Sequence, residues 1–413
     1  MINPVLGILC ILTIGLIYFV FQSRSQIAIF YLVILILGDS RSYQLAFFKT
    51  GRLIILLILT IWTIQDLIQK RYSLQKGILW ILPFIILGLI STIIFSPIKF
   101  LSYQKTVSYL LVSFVAFHFY ADWLWGNEAK NFEKLLHFTA VCLGLGLGLL
   151  IIYPDAVMFG ERFKGIFGNP NGIGLTCIMW LPYFIFYSIS QDRSPSLQWW
   201  LYVCLIVLSL ILSNSRNGLA GSVLFVGLLW WFKNGTRRFT FFWVILPFVV
   251  WFFTSVDFIQ LLIQIGLGDY LRVESIKEAS GRALSWSFAL EQIPKVFWMG
   301  GGFAYEEYVY EHLVPPSLQM FREMSSTWNS YLTLMLNNGI IGTTLFLTFI
   351  FAQLKYAQRN LRWKMLGYLV AILLAAIYET WLTSSLNAYT IFFLIMITYF
   401  HNPPQTFSNK TKI

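Results

Sequence analysis

Of the 413 residues, 58% are hydrophobic and 11% charged, and the mean hydropathy is +0.70. A soluble domain carries about 25% charged residues, so a water-soluble fold is excluded. The formal net charge of +11 comes from Lys and Arg scattered among loops, without the basic stripe or module of a nucleic-acid binder. It is read as topology-setting charge, and no nucleic-acid partner is expected.

Apolar runs near the ~20 residues needed to cross a ~30 Å hydrocarbon core recur along nearly the whole chain. Runs such as Leu53 to Thr60 (LIILLILT) lack the alternation of barrel strands. The expectation is therefore all-α, a polytopic integral membrane protein of about 12–13 transmembrane helices, since a lipid-facing segment must satisfy its own backbone hydrogen bonds. Candidate spans are 3–21, 27–38, 52–68, 77–95, 105–120, 135–153, 173–190, 198–213, 218–232, 239–254, 329–352, 365–382 and 386–400. The run from Ile27 to Gly38 is short for a crossing, which leaves the total at 12 or 13. The first run, Asn3 to Phe21, has no basic region before it and no small-residue cleavage site after it, so it reads as a retained span.

One large loop, Ser255 to Thr327, falls between the tenth and eleventh candidate spans. The expected organisation is a helix bundle over 1–254, the loop over 255–327, a three-helix membrane segment over 328–402 and a tail over 403–413. Lys233, Arg237 and Arg238 precede the loop, and Lys355, Arg359, Arg362 and Lys364 follow the next span. By the positive-inside rule these loops are cytoplasmic, so the long loop faces outward and the C-terminus inward. The cysteines Cys10, Cys142, Cys177 and Cys204 lie in apolar runs without CxxC spacing, which suggests neither disulfides nor a thiolate metal site.

Three short motifs place arginine, glycine and amide side chains at span ends on the outward side, where a charge in hydrocarbon is costly. The first, Arg162-Phe-Lys164-Gly-Ile-Phe-Gly-Asn169-Pro170-Asn171-Gly172, reads as a tight turn with Asn171 able to cap the next helix. The second, Ser213-Asn-Ser-Arg216-Asn-Gly218, is too short to carry Arg216 far from the bilayer. The third, Ser280-Gly-Arg282-Ala-Leu-Ser-Trp286, reads as a Ser280-capped helix with Arg282 in its first turn, one turn before Trp286. A cation there opposes the helix dipole, so local stability does not account for it. Joined to backbone N–H groups, it makes a phosphate site.

Further along the loop lie Gly300-Gly301-Gly302, Glu306, Glu307, Glu311, His312 and Arg322. The chain then re-enters the apolar region at Thr327-Trp328-Asn329-Ser330-Tyr331-Leu332, and Asn338-Gly339-Ile340-Ile341-Gly342 follows. His312 is the loop's one histidine, and no H-E-x-x-H or Asp-rich cluster accompanies it to bind metal.

In this order, the turn RFKGIFGNPNG, the SNSRNG connection, the GRxxxW helix and TWNSYLTLMLNNGIIG resemble the bacterial O-antigen ligase and polymerase superfamily of lipid-linked glycan transferases. The resemblance covers Arg162 to Gly342. It implies a multi-helical protein of the bacterial inner membrane that acts on its periplasmic or extracellular face without metal or other cofactor. The implied reaction moves a glycan from undecaprenyl diphosphate to an acceptor hydroxyl with inversion. Implied partners are the undecaprenyl-diphosphate-linked glycan, the acceptor glycan, the lipid bilayer and chain-length regulators or other polysaccharide-assembly proteins.

Diphosphate is the leaving group, so cations must stabilise its developing charge and a base must take the acceptor's proton. Arg282 is the expected clamp, with Arg162, Lys164 and Arg216 supporting it, Asn171 and Asn329 positioning oxygens, and Trp286 lining the site. Many relatives carry histidine where this chain has Trp328, and an indole cannot act as base. Either Trp328 stacks on sugar while His312 or a loop glutamate takes the proton, or positioning and diphosphate stabilisation suffice. A polymerase of surface polysaccharide is favoured over a ligase to lipid A core or protein, and both over a flippase, because the informative arginines sit at span ends instead of span centres.

Overall fold

The computed structural model describes residues 24–39, 47–69, 75–126, 128–190, 196–232, 282–359 and 361–401. The candidate spans 3–21 and 239–254, the first part of the long loop, and Ser280 with its expected cap lie outside the described residues. What is described is all-α except for one antiparallel pair of two-residue strands, Met158–Phe159 and Arg162–Phe163.

Helices α1 (Arg24–Asp39), α2 (Phe47–Ile68), α3 (Leu82–Phe95) and α4 (Lys99–Val115) are followed by α5 (Glu128–Ile152). After the strand pair come α6 (Pro170–Ser190), α7 (Leu197–Ser213) and α8 (Arg216–Phe232), and then α9 (Arg282–Gln292), α10 (Ser330–Ala352), α11 (Arg362–Ala375) and α12 (Ala388–Phe400). Among the described residues, five helices are long and apolar enough to cross a membrane: Phe48–Ile68, Lys76–Phe95, Lys99–Trp125, Glu133–Ile152 and Ser330–Lys355. The chain is thus a polytopic membrane protein, but the expectation of 12–13 spans with a loop between the tenth and eleventh is overturned.

The physical reason is that hydropathy does not separate a run that crosses lipid from one buried among other helices. The run over 386–400 becomes α12, only 13 residues long and buried at every position. At 1.5 Å per residue it covers about 20 Å, short of a ~30 Å core. The run over 365–382 stops as helix at Ala375, passes through a short 3-10 turn, and is extended at Glu379. α12 packs against α6 and joins Trp180, Phe117, Tyr368 and Trp381 in the main core.

α9 and the segment after it form a second, smaller core in which Phe288, Ile293, Tyr310 and Met324 pack with Leu336 of α10. Its docking depends on a break in α10 at Gly339, where φ is +62° and ψ is −170°. A broken helix leaves backbone groups without partners, which are costly in an apolar setting. Here the glycine run and the residues just before it supply them: Gly301 N donates to Leu336 O and Gly302 N to Asn337 O, while Ile340 N and Ile341 N donate to Phe297 O and Trp298 O. Gly300-Gly301-Gly302 and Gly339 are therefore two halves of one joint.

Candidate functional site

The joint orients the next residues in turn. Asn337, beside the break, donates from Nδ2 to Phe303 O and accepts from Glu306 N at 2.7 Å, fixing the start of the turn over Tyr305–Tyr308. Glu306 is 7% exposed, and its Oε1 accepts from Ser326 Oγ, Thr327 N and Thr327 Oγ1. The re-entry segment is thereby held from Ser326 onward. Ser285, on α9, adds a second tie by donating to Ser326 O at 2.5 Å. Next, Trp328 takes φ +51°, a left-handed conformation rare for a bulky side chain. Such residues cost on the order of 1–3 kcal/mol and cluster at binding and catalytic sites. Asn329 then caps α10 through Oδ1, which accepts from Tyr331 N and Leu332 N, so that oxygen is committed to the helix start.

Trp328 lies against Arg282, whose guanidinium carbon is 5.9 Å from its ring centroid and 6.0 Å from that of Tyr378. Trp286, one turn along α9, reaches the same Tyr378 at 6.0 Å between centroids. Arg282 Nη2 donates to Glu379 Oε1 at 3.1 Å. The same oxygen accepts from Asn171 Nδ2 at 2.5 Å, and Asn171 Oδ1 accepts from Arg162 Nη2 at 2.8 Å. Arg162 is anchored by a bond from Nε to Ser213 O, at the end of α7. Three segments far apart in sequence, those of Arg162 and Asn171, of Arg282 and of Glu379, thus meet at one carboxylate.

The turn before α6 explains how Asn171 gets there. The expected cap at Asn171 is corrected, since Asn169 Oδ1 accepts from Gly172 N while Pro170 opens the helix. Asn171 is consequently inside the first turn, with its amide turned to Arg162 and Glu379. Gly172 sits in close quarters: a Cβ there would lie 2.1 Å from the Tyr389 hydroxyl oxygen, so that side chain would have to move.

Glu379 is 7% exposed, and its main-chain oxygen accepts from Ser330 Oγ. Burial holds its carboxyl above the usual carboxylate range, with Arg282, Asn171 and Arg162 pulling the other way. An acid whose folded pKa is raised favours folding when protonated, so its contribution falls as pH rises from the unfolded value through the folded one. Glu379→Gln is expected to remove that part of the decline in detergent melting temperature with rising pH; an unchanged slope would show that Glu379 does not produce it.

Sequence reasoning passed over Glu379, although a carboxylate inside an apolar run is the signal that intramembrane charge gives. Among the other expected residues, Arg216 starts α8, directly after the Ser213 anchor. Lys164 is half-buried, and its side chain makes no hydrogen bond or ion pair among the described residues. His312 is exposed and stacked on Tyr308 at 5.0 Å, outside the arginine cluster. No group of three or more His, Cys, Asp or Glu that could hold a metal ion occurs among the described residues.

Residues 201–347 match the family model described as O-antigen ligase, a similarity to the ligase and polymerase superfamily that singles out no branch. The matched stretch includes Arg282 and Trp328; Arg162, Asn171 and Glu379 lie outside it. No curated protein and no solved structure matches the chain.

Proposed function

We propose that this membrane protein, whose residues 201–347 match the O-antigen ligase family, transfers a glycan from a lipid diphosphate to a separate acceptor. The observation that carries the reading is the meeting of Arg162 and Arg282, with Asn171, around Glu379. Two guanidinium groups against one carboxylate leave the cluster net positive, which suits a diphosphate whose charge grows as the glycosidic bond breaks. Arg282 uses only Nη2 toward Glu379 among the described residues, and a guanidinium carries five donors, so its fork retains N–H groups for phosphate oxygens. Trp328 and Tyr378 hold the guanidinium plane from their ring faces, and the pair offers apolar surface to a sugar ring. Lys164 and Arg216, near the cluster's anchors, add positive potential.

The family description supports a ligase. A polymerase is the second reading, favoured by Trp328 at the position where many members of that superfamily carry histidine. Purified protein given an undecaprenyl-diphosphate-linked glycan separates them. A ligase is expected to transfer only when a separate acceptor is added, whereas chain growth from donor alone identifies a polymerase. Failure to release lipid diphosphate under either condition overturns glycosyl transfer itself.

A further inference from the structure

A cavity of about 160 Å³ adjoins the arginine cluster through Ser330, well above the roughly 10–15 Å³ that one water requires. Ser330 lines it and also donates to Glu379 O, and Thr380 and Trp381, the residues after Glu379, continue the shared wall. Hydroxyls dominate the rest, with Ser326, Thr333, Thr383 and Ser384 among them. Such a lining offers donors and acceptors at many angles, the pattern that suits a polyhydroxylated ligand.

The cavity also holds charge. Lys105 is paired with Glu307, and Glu306 lines the wall beside them. Two buried polar atoms on wall residues have no partner among the described residues: Glu307 Oε2 and the indole nitrogen of Trp381, whose side chain is 1% exposed. The three hydrogen bonds to Glu306 all fall on Oε1, which fixes the carboxylate and leaves Oε2 outside that network. Glu307 makes the direct ion pair with Lys105, whose charge also acts on Glu306. Glu306 is the carboxylate held in place by three hydrogen bonds, with no direct ion pair among the described residues.

Resting on the glycosyl-transfer reading above, we infer that this cavity binds the acceptor saccharide and that Glu306 takes the proton from its attacking hydroxyl. In the step, the acceptor O–H gives its proton to Glu306 and the oxygen forms a bond to the anomeric carbon. The bond from that carbon to the phosphate oxygen breaks, and its electron pair leaves on the lipid diphosphate. Arg282 and Arg162, gathered at Glu379 beside the cavity's Ser330, meet that charge. Protonated Glu306 returns its proton to water once the product glycan leaves the cavity. This supplies the base that Trp328 cannot provide.

Glu306→Gln retains an Oε1 that accepts the same three bonds, so the variant is expected to fold and to bind undecaprenyl diphosphate as the wild type does. Its transfer rate should fall by about 100-fold or more, the range for loss of a general base, and the acidic limb of the pH–rate profile should disappear. Wild-type transfer rate or an unaltered pH profile in Glu306→Gln would overturn the inference while leaving glycosyl transfer standing. A wild-type protein that transfers nothing would overturn both. Ser384→Phe, which fills the cavity, gives an independent arm: the acceptor KM should rise about tenfold with donor binding unchanged, and an unchanged KM would count against the acceptor site.

Discussion

Arg282→Ala is expected to lower glycan transfer by about 100- to 1,000-fold, the range for removing one preorganised donor from a developing oxyanion. Inserted protein should still be recovered, because α9 begins at Arg282 and the helix interior is untouched, although its melting temperature should fall with the lost ion pair to Glu379. The loss has three components: the charge that meets the diphosphate, the bond to Glu379, and the guanidinium held between Trp328 and Tyr378. Glu379 would then keep its bond from Asn171 and the nearby charge of Arg162 but lose its ion pair, and a buried carboxylate stripped of its paired cation is costly. Arg282→Lys restores charge but not the planar fork, so it should recover only part of the activity. Transfer assays on purified variants at equal protein check this, and full activity in Arg282→Ala would remove the arginine from the site.

Gly300→Ala is expected to be the more damaging change to the fold. Gly300 has φ +73°, and an added Cβ would lie 2.3 Å from the Asn337 carbonyl carbon and oxygen. Both contacts are with backbone of the broken helix, so no side-chain rotation relieves them. Gly339 is the reciprocal case, with φ +62° and a Cβ position 2.4 Å from the Trp298 carbonyl carbon. Either substitution would force the joint apart and strand the backbone groups it pairs, a loss on the order of 3–5 kcal/mol. The measurement is thermal unfolding in detergent, where a transition within a degree or two of wild type would contradict the joint. Transfer should fall too, because the same joint sets Asn337, Glu306 and the re-entry segment.

These two cases show what was legible in the sequence. Arg162, Asn171, Arg282, Trp286 and Trp328 drew notice as polar or aromatic residues at the ends of apolar runs, and the structure brings them into one cluster around Glu379 and Tyr378. The partners were hidden because Glu379 stands inside what reads as an unbroken span, and only the end of α11 at Ala375 turns its carboxyl inward. Gly300-Gly301-Gly302 and Gly339 were visible as motifs, but their pairing is a tertiary contact that local spacing cannot express. His312 drew attention through its residue type, and it stacks on Tyr308 at the surface instead. The span count failed for a related reason: α12 is as apolar as a crossing helix, yet it is 13 residues long and wholly buried among its neighbours.

The cluster around Glu379 is the centre of the account, and binding of undecaprenyl diphosphate, the product that keeps the leaving group, tests it most directly. Titrated into purified protein in detergent, it should bind saturably to wild type and to Glu306→Gln. Binding should be lost or weakened at least about tenfold in Arg282→Ala, a change of about 1.4 kcal/mol. Equal binding by wild type and Arg282→Ala would contradict the arginine site.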